Sequence, residues 1–154
     1  LLAVTLDDTR VALHANLELP REIDLAIASG AEGIGLLRTE FLFMNRETPP
    51  DEEEQYATLR KLVEGMNGQP VTIRTLDVGG EKLAYSLGEH MAESVNPALG
   101  LRAIRFSLRQ PKLFESQISA ILRANAHGPI RMLLPMISTV GEVQEVREIV
   151  AREA

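Results

Sequence analysis

Apolar residues in this chain fall into short blocks, and two spacings alternate along it. Val11 to Leu17 (VALHANL), Gly33 to Leu37 (GIGLL), Val71 to Ile73 and Ile130 to Leu134 are brief, nearly continuous apolar runs of strand length. Between them the apolar positions recur at helical spacing. Pro20 to Ala28 carries Ile23, Ala26 and Ile27, and the run opened by Asp51 continues through Leu62 and Val63. Leu99 to Leu108 and Leu113 to Asn125 read as two more helices, and Gly141 to Glu153 as a closing one with Val143, Val146 and Val150 on one face. Gly30, Gly68 with Pro70, Gly128-Pro129 and Pro135 supply the stops. Acidic residues at Asp51 to Glu54 suit a helix N-terminus, where the backbone dipole is positive. Asp77 to Pro97, with Gly79, Gly80 and Gly88, predicts a loop long enough to suggest a functional role.

Short apolar strands separated by helices predict parallel β/α units, because a parallel strand buries both faces and needs a crossover. The fold class is therefore α/β. A small open four-stranded sheet is the plainest arrangement, and half of a TIM-type (β/α)8 barrel is the other. A whole barrel takes roughly 250 residues, and this chain has 154.

Composition narrows the function classes. Hydrophobic residues at 45% and charged residues at 25% suit one soluble globular domain. A net charge of -6 disfavours general nucleic-acid binding. No apolar run predicts a transmembrane helix, and Leu1 to Val4 do not read as a signal peptide. With no cysteine, the chain has no disulfide, thiolate metal site or cysteine nucleophile, and it fits a reducing cytoplasm.

Arginines are the candidate chemistry. Arg38 directly follows one apolar run and Arg74 another, while Arg102 sits at the predicted start of a helix. In parallel α/β folds the strand C-terminal ends face the active site, so Arg38 and Arg74 would share one mouth. Two planar guanidinium forks there suit a phosphate or carboxylate. Two close cations also repel, and Glu40 and Asp77 are near enough in sequence to compensate. Ordinary rim ion pairs account for the same arginines at least as simply. Lys82, beside Gly79-Gly80, adds a further cation or is merely solvated. Consecutive carboxylates on a helix do not converge, so Asp51 to Glu54 does not read as a metal site. His14 reads as a strand histidine, and His90 and His127 as loop histidines without an evident partner.

Taken in order, the runs GIGLLRTEFLFM (33–44), EEEQY (52–56), IRTLDVGGEK (73–82), NPALGLRAIR (96–105) and RMLLPM (131–136) resemble the enzyme I family of phosphoenolpyruvate-protein phosphotransferases, across nearly the whole chain. The resemblance implies that residues 1–154 are the N-terminal half of a PEP-utilising C-terminal (β/α)8 barrel, about four β/α units. Its C-terminal mouth would bind phosphoenolpyruvate with Mg²⁺. The family passes the phosphoryl group to a histidine on a separate N-terminal domain and then to a small phosphocarrier protein of the sugar phosphotransferase system. By motif, Arg38 and Arg74 match phosphate-holding arginines and Arg102 a third active-site arginine, with Glu40, Asp77 and Lys82 in support. The family's usual GGDK is GGEK here, with Glu81 in place of the aspartate.

Several expectations follow from the resemblance. The Mg²⁺ ligands, the phospho-accepting histidine and the cysteine proton donor would lie outside this stretch, leaving no catalytic residue and no metal ligand within it. The parent would be a cytoplasmic homodimer without membrane insertion. A half barrel also leaves open strand edges, so the isolated chain would self-associate. A pyruvate phosphate dikinase or phosphoenolpyruvate synthase, which shares the RTE-type motif, and a non-catalytic phosphoenolpyruvate sensor are the competing readings.

Overall fold

A computed structural model describes residues 3–79 and 100–154. The expectations at Lys82 and His90, and most of the predicted 77–97 loop, lie outside the described residues. The elements run β1 (Ala15–Leu17), α1 (Ile23–Ala28), β2 (Ile34–Arg38), α2 (Glu52–Gly65), β3 (Val71–Arg74), α3 (Ile104–Arg109), α4 (Pro111–Ala124), β4 (Ile130–Leu133) and α5 (Val140–Glu153), with short 3-10 turns at Pro20–Glu22, Glu40–Leu42 and Asn125–His127. The four strands form one parallel sheet in the order β1-β2-β3-β4. This is the predicted α/β class, with the strands in sequence order as in a stretch of barrel wall.

Local chemistry explains where elements start and stop. Asp51 caps α2, its Oδ1 accepting from the Glu54 amide at 2.8 Å while Glu54 accepts from the Asp51 amide at 3.2 Å. The acidic run is thus a helix start, as expected. Thr139 and Glu142 form the same reciprocal box at the head of α5. Gly68, at φ 83°, turns the chain out of α2 through a left-handed conformation, and Gly30, at φ 81°, does so after α1.

Three elements start more than two residues from where the sequence places them. β1 begins at Ala15, not Val11, because the preceding segment folds back on itself, with Val4 bridged to Arg10 and the Val11 amide donating to the Ala3 carbonyl. His14 therefore lies just before the strand and is exposed. Pro20–Glu22 is a 3-10 turn, since the Glu22 carboxylate gathers the Glu18 and Leu19 amides at 2.8 and 2.9 Å. The helix expected from Leu99 starts only at Ile104: Arg102 is bridged to Gly79, the Ala103 amide donates to the Val78 carbonyl, and Ala103 sits at φ 51°, outside helical space.

Side chains alternate along β3 and β4, whereas an irregularity between Ile34 and Leu37 resets the alternation in β2, and the core shows which face is which. Ile34, Leu37, Val71 and Ile73 are fully buried against Leu59, Leu62 and Val63 of α2 and Ile121 of α4. A second cluster joins Ile104 and Phe114 to Val146 and Ile149 of α5. Ile149, rather than Val143, completes the buried face of that helix. On the other sheet face, Asn16 and Arg131 are exposed and Leu133 retains 37% of its accessibility. The helices therefore cover one side of the sheet.

Candidate functional site

Arg38 and Arg74 are the last residues of β2 and β3 and stand opposite each other in the ladder. Both fall on the alternation that points away from the helices, at the C-terminal edge of the sheet. The chain then turns: Glu40 opens a 3-10 turn after β2, and Asp77 follows β3 by three residues. These turns bring the carboxylates back over the arginines.

The result is a connected charge cluster. Arg74 donates from Nη2 to Glu40 Oε1 at 2.7 Å and pairs through Nη1 with Asp77 Oδ2 at 3.2 Å. Arg102 Nε donates to Asp77 Oδ1 at 2.9 Å, so Asp77 joins two guanidiniums. The Asp77 amide donates to Glu40 Oε1 at 3.1 Å. Arg38 pairs with Glu18, which lies just beyond β1. Repulsion between the cations is therefore answered by carboxylates, as the sequence suggested for Glu40 and Asp77. Asp77 is the most enclosed of the group, with 11% of its side chain exposed, whereas Glu18 keeps 63%.

An open cleft of about 290 Å³ is lined by Arg38, Arg74, Glu18, Glu40, Asp77 and apolar Met44 among others. The cluster is incompletely satisfied. Among the described residues, buried Nε of Arg38, Nε of Arg74 and Oε2 of Glu40 have no hydrogen-bond partner. Buried polar atoms left without partners are costly. A larger cleft of about 370 Å³ between β1 and α1 is lined by Leu13, Ala15, Leu17, Leu25 and Ala26 among others and gathers no comparable charge.

Three participants were not singled out from the sequence. Glu18 carried a usable signal, because it follows β1 at the strand end that also presents the arginines. Gln117 was marked only by being a polar residue on the apolar stripe of α4, beside Phe114, Ile118 and Ile121. Thr39 lay hidden inside the arginine motif. Among the described residues, no group of three or more histidine, cysteine, aspartate or glutamate side chains could hold a metal ion, and no helix is long and apolar enough to cross a membrane.

A parallel β/α wall with paired arginines at its strand ends has the chemistry suited to an anion, and the chain belongs to the family described as PEP-utilising enzyme, PEP-binding domain, which matches residues 1–154. Its relatives include proteins named phosphoenolpyruvate-protein phosphotransferase: that of Cupriavidus necator is 46% identical over 151 residues, that of Geobacillus stearothermophilus 43% over 150, and that of Staphylococcus aureus 42% over 151. In each case the match covers 97% of this chain and 26% of the relative. The chain thus spans about a quarter of the length of the curated relatives it matches.

Proposed function

We propose that this chain is the substrate-side half of a (β/α)8 barrel in a phosphotransferase that moves phosphoryl from phosphoenolpyruvate to a protein histidine. One observation carries the reading: Arg38 and Arg74 stand side by side at the strand ends with buried Nε–H groups unpartnered among the described residues. In this mouth Arg38 and Arg74 hold the phosphate and Arg102 approaches as a third cation. Phosphoryl transfer spreads charge over the moving group, and fixed guanidiniums neutralise it without reorganising. Glu40 and Asp77 hold Arg74 in one orientation from two sides. Glu18 is the carboxylate an incoming anion displaces most cheaply, because exposed ion pairs contribute little.

Mg²⁺ belongs to the same reading, with its ligands in the remainder of a longer polypeptide. Glu40 and Asp77 are engaged with arginines instead. The phospho-accepting histidine, the phosphocarrier protein, Lys82 as a further substrate contact, a homodimeric parent and a cytoplasmic location complete the proposal. The relatives' shared name supports this branch over a dikinase, a synthase or a sensor.

The test is phosphoryl transfer from radiolabelled phosphoenolpyruvate to the full-length protein with Mg²⁺ and no nucleotide, beside Arg38→Ala. Acid-labile label on a histidine, lost in the variant, is the expected result. Label that requires AMP or ATP would move the protein to the dikinase or synthase branch. No label under either condition would overturn transfer and leave a sensor.

A further inference from the structure

We propose that Thr39 and Gln117 are positioning residues for the arginine mouth, locking the two arginine-bearing strand ends to helix α4 through one directed chain of hydrogen bonds. The proposal rests on the reading of that mouth as the phosphoenolpyruvate site.

Gln117 sits in the middle of α4 with 1% of its surface exposed, and Thr39 is fully buried. A carboxamide in such a place is costly unless both ends are partnered. Here both are. Gln117 Oε1 accepts from the Leu76 amide at 3.0 Å, and its Nε2 donates to Thr39 Oγ1 at 3.2 Å. Thr39 Oγ1 in turn donates to the Arg74 carbonyl at 2.9 Å. The directions are forced. Leu76 N–H only donates, so the carboxamide oxygen must face it. The single hydroxyl proton goes to the Arg74 carbonyl, which only accepts, so Thr39 must accept from Gln117.

Each bond ends beside a residue of the mouth. Thr39 follows Arg38 directly, the carbonyl belongs to Arg74 itself, and Leu76 precedes Asp77, which joins Arg74 to Arg102. The chain crosses from β2 to β3 at the point where the strand ladder ends, since Arg38 and Arg74 are its last paired residues. Beyond that rung, this link fixes how far apart the two guanidinium stems stand. Leu42, Phe43, Leu76 and Phe106, from the same turns and from α3, form a small apolar floor of their own. That floor resists compression and imposes no direction, whereas the hydrogen-bonded chain is directional.

The experiment uses the full-length protein with Thr39→Val, which keeps the shape and removes the hydroxyl, Thr39→Ser, which restores it, and Gln117→Leu. Steady-state KM for phosphoenolpyruvate, kcat and the thermal midpoint are read for each. A shift of the arginines by a fraction of an ångström is expected to raise KM roughly tenfold in Thr39→Val and Gln117→Leu, with Thr39→Ser within about twofold of the parent. Thr39→Val carries the test if Gln117→Leu does not fold. A lowered thermal midpoint with unchanged KM in Thr39→Val would reduce the pair to a structural role and overturn the proposal. Failure of the parent itself to bind phosphoenolpyruvate would instead overturn the substrate reading, and the positioning role with it.

Discussion

Two charged clusters sit on this domain, one at the strand ends and one on the outer seam between α2 and α4, and they are built differently. On the seam, Arg123 reaches Glu52 and Glu53 at 2.7 and 2.8 Å and lies 4.0 Å over the Tyr56 ring. Tyr56 shares a hydrogen bond with His127, whose Nδ1 lies 3.2 Å from Glu64, and Arg60 donates to Glu64 at 2.8 Å. Each of these charges has a partner of opposite sign or a ring, and the arginine and glutamate side chains are at least two-fifths exposed. At the mouth, Arg74, Glu40 and Asp77 keep a fifth or less of their exposure, yet buried atoms of Arg38, Arg74 and Glu40 lack partners among the described residues. A satisfied, solvated cluster fastens helices together. An enclosed, under-satisfied one is suited to receive a ligand.

The sharpest way to break that contrast is Arg74→Ala. It removes a phosphate contact and leaves Glu40 and enclosed Asp77 short of a cation. Phosphoenolpyruvate affinity is expected to fall about a hundredfold, the scale of a charge-assisted hydrogen-bond pair. Stability is expected to fall by about 3 kcal/mol, read as a lowered urea midpoint. A variant with parental affinity would make the mouth another fastening cluster. Glu18→Gln has a smaller effect of opposite sign. Without the competing carboxylate on Arg38, titration calorimetry should show phosphoenolpyruvate binding about twofold to fivefold tighter, the scale of an exposed ion pair. Weaker binding would mean that Glu18 aids the substrate rather than competing with it.

Much of this contrast is legible in the sequence because it rests on short-range pattern. Arg38 and Arg74 each end an apolar run, and the C-terminal ends of parallel strands share one edge of the sheet, although the irregularity between Ile34 and Leu37 that sets the face of Arg38 is not written in the spacing. The acidic run Asp51 to Glu54 announces a helix start by its charge alone. What resisted reading depends on distant contacts. His127 and Tyr56 are 71 positions apart, and Gln117 and Thr39 are 78 apart. No periodicity encodes such meetings, so His127 reads as a loop histidine without a partner and nothing in the spacing singles out Gln117. The late start of α3 has the same origin: a bridge back to Gly79 holds Arg102 out of helical conformation, where local spacing continues the helix.

Arg123→Ala probes the seam. Its partners are solvent-facing and water replaces much of what is lost, so the thermal midpoint should drop slightly while KM for phosphoenolpyruvate stays at the parental value. A changed KM would couple the seam to the mouth and erase the distinction between fastening and binding clusters.

The smallest effect is expected in acid. The hydrogen bond from Arg60 holds the Glu64 carboxyl below its ordinary value of 4.5, with the charges of Arg60 and His127 adding to it. At Glu142 the amides of Ser138 and Thr139 act the same way. A carboxyl whose folded pKa lies below its unfolded one releases its proton more readily when folded. Its contribution is therefore complete above the unfolded value and is lost as pH falls through the folded one. Thermal midpoints followed from about pH 5 down to about pH 3 should fall less steeply in Glu64→Gln and Glu142→Gln than in the parent, and the two variants should differ in salt. Glu64 depends on a solvated ion pair that salt screens, whereas Glu142 depends on fixed backbone amides at a helix head. Parallel acid curves for parent and Glu64→Gln would show that the seam's charges contribute nothing to folding and that its packing alone joins α2 to α4.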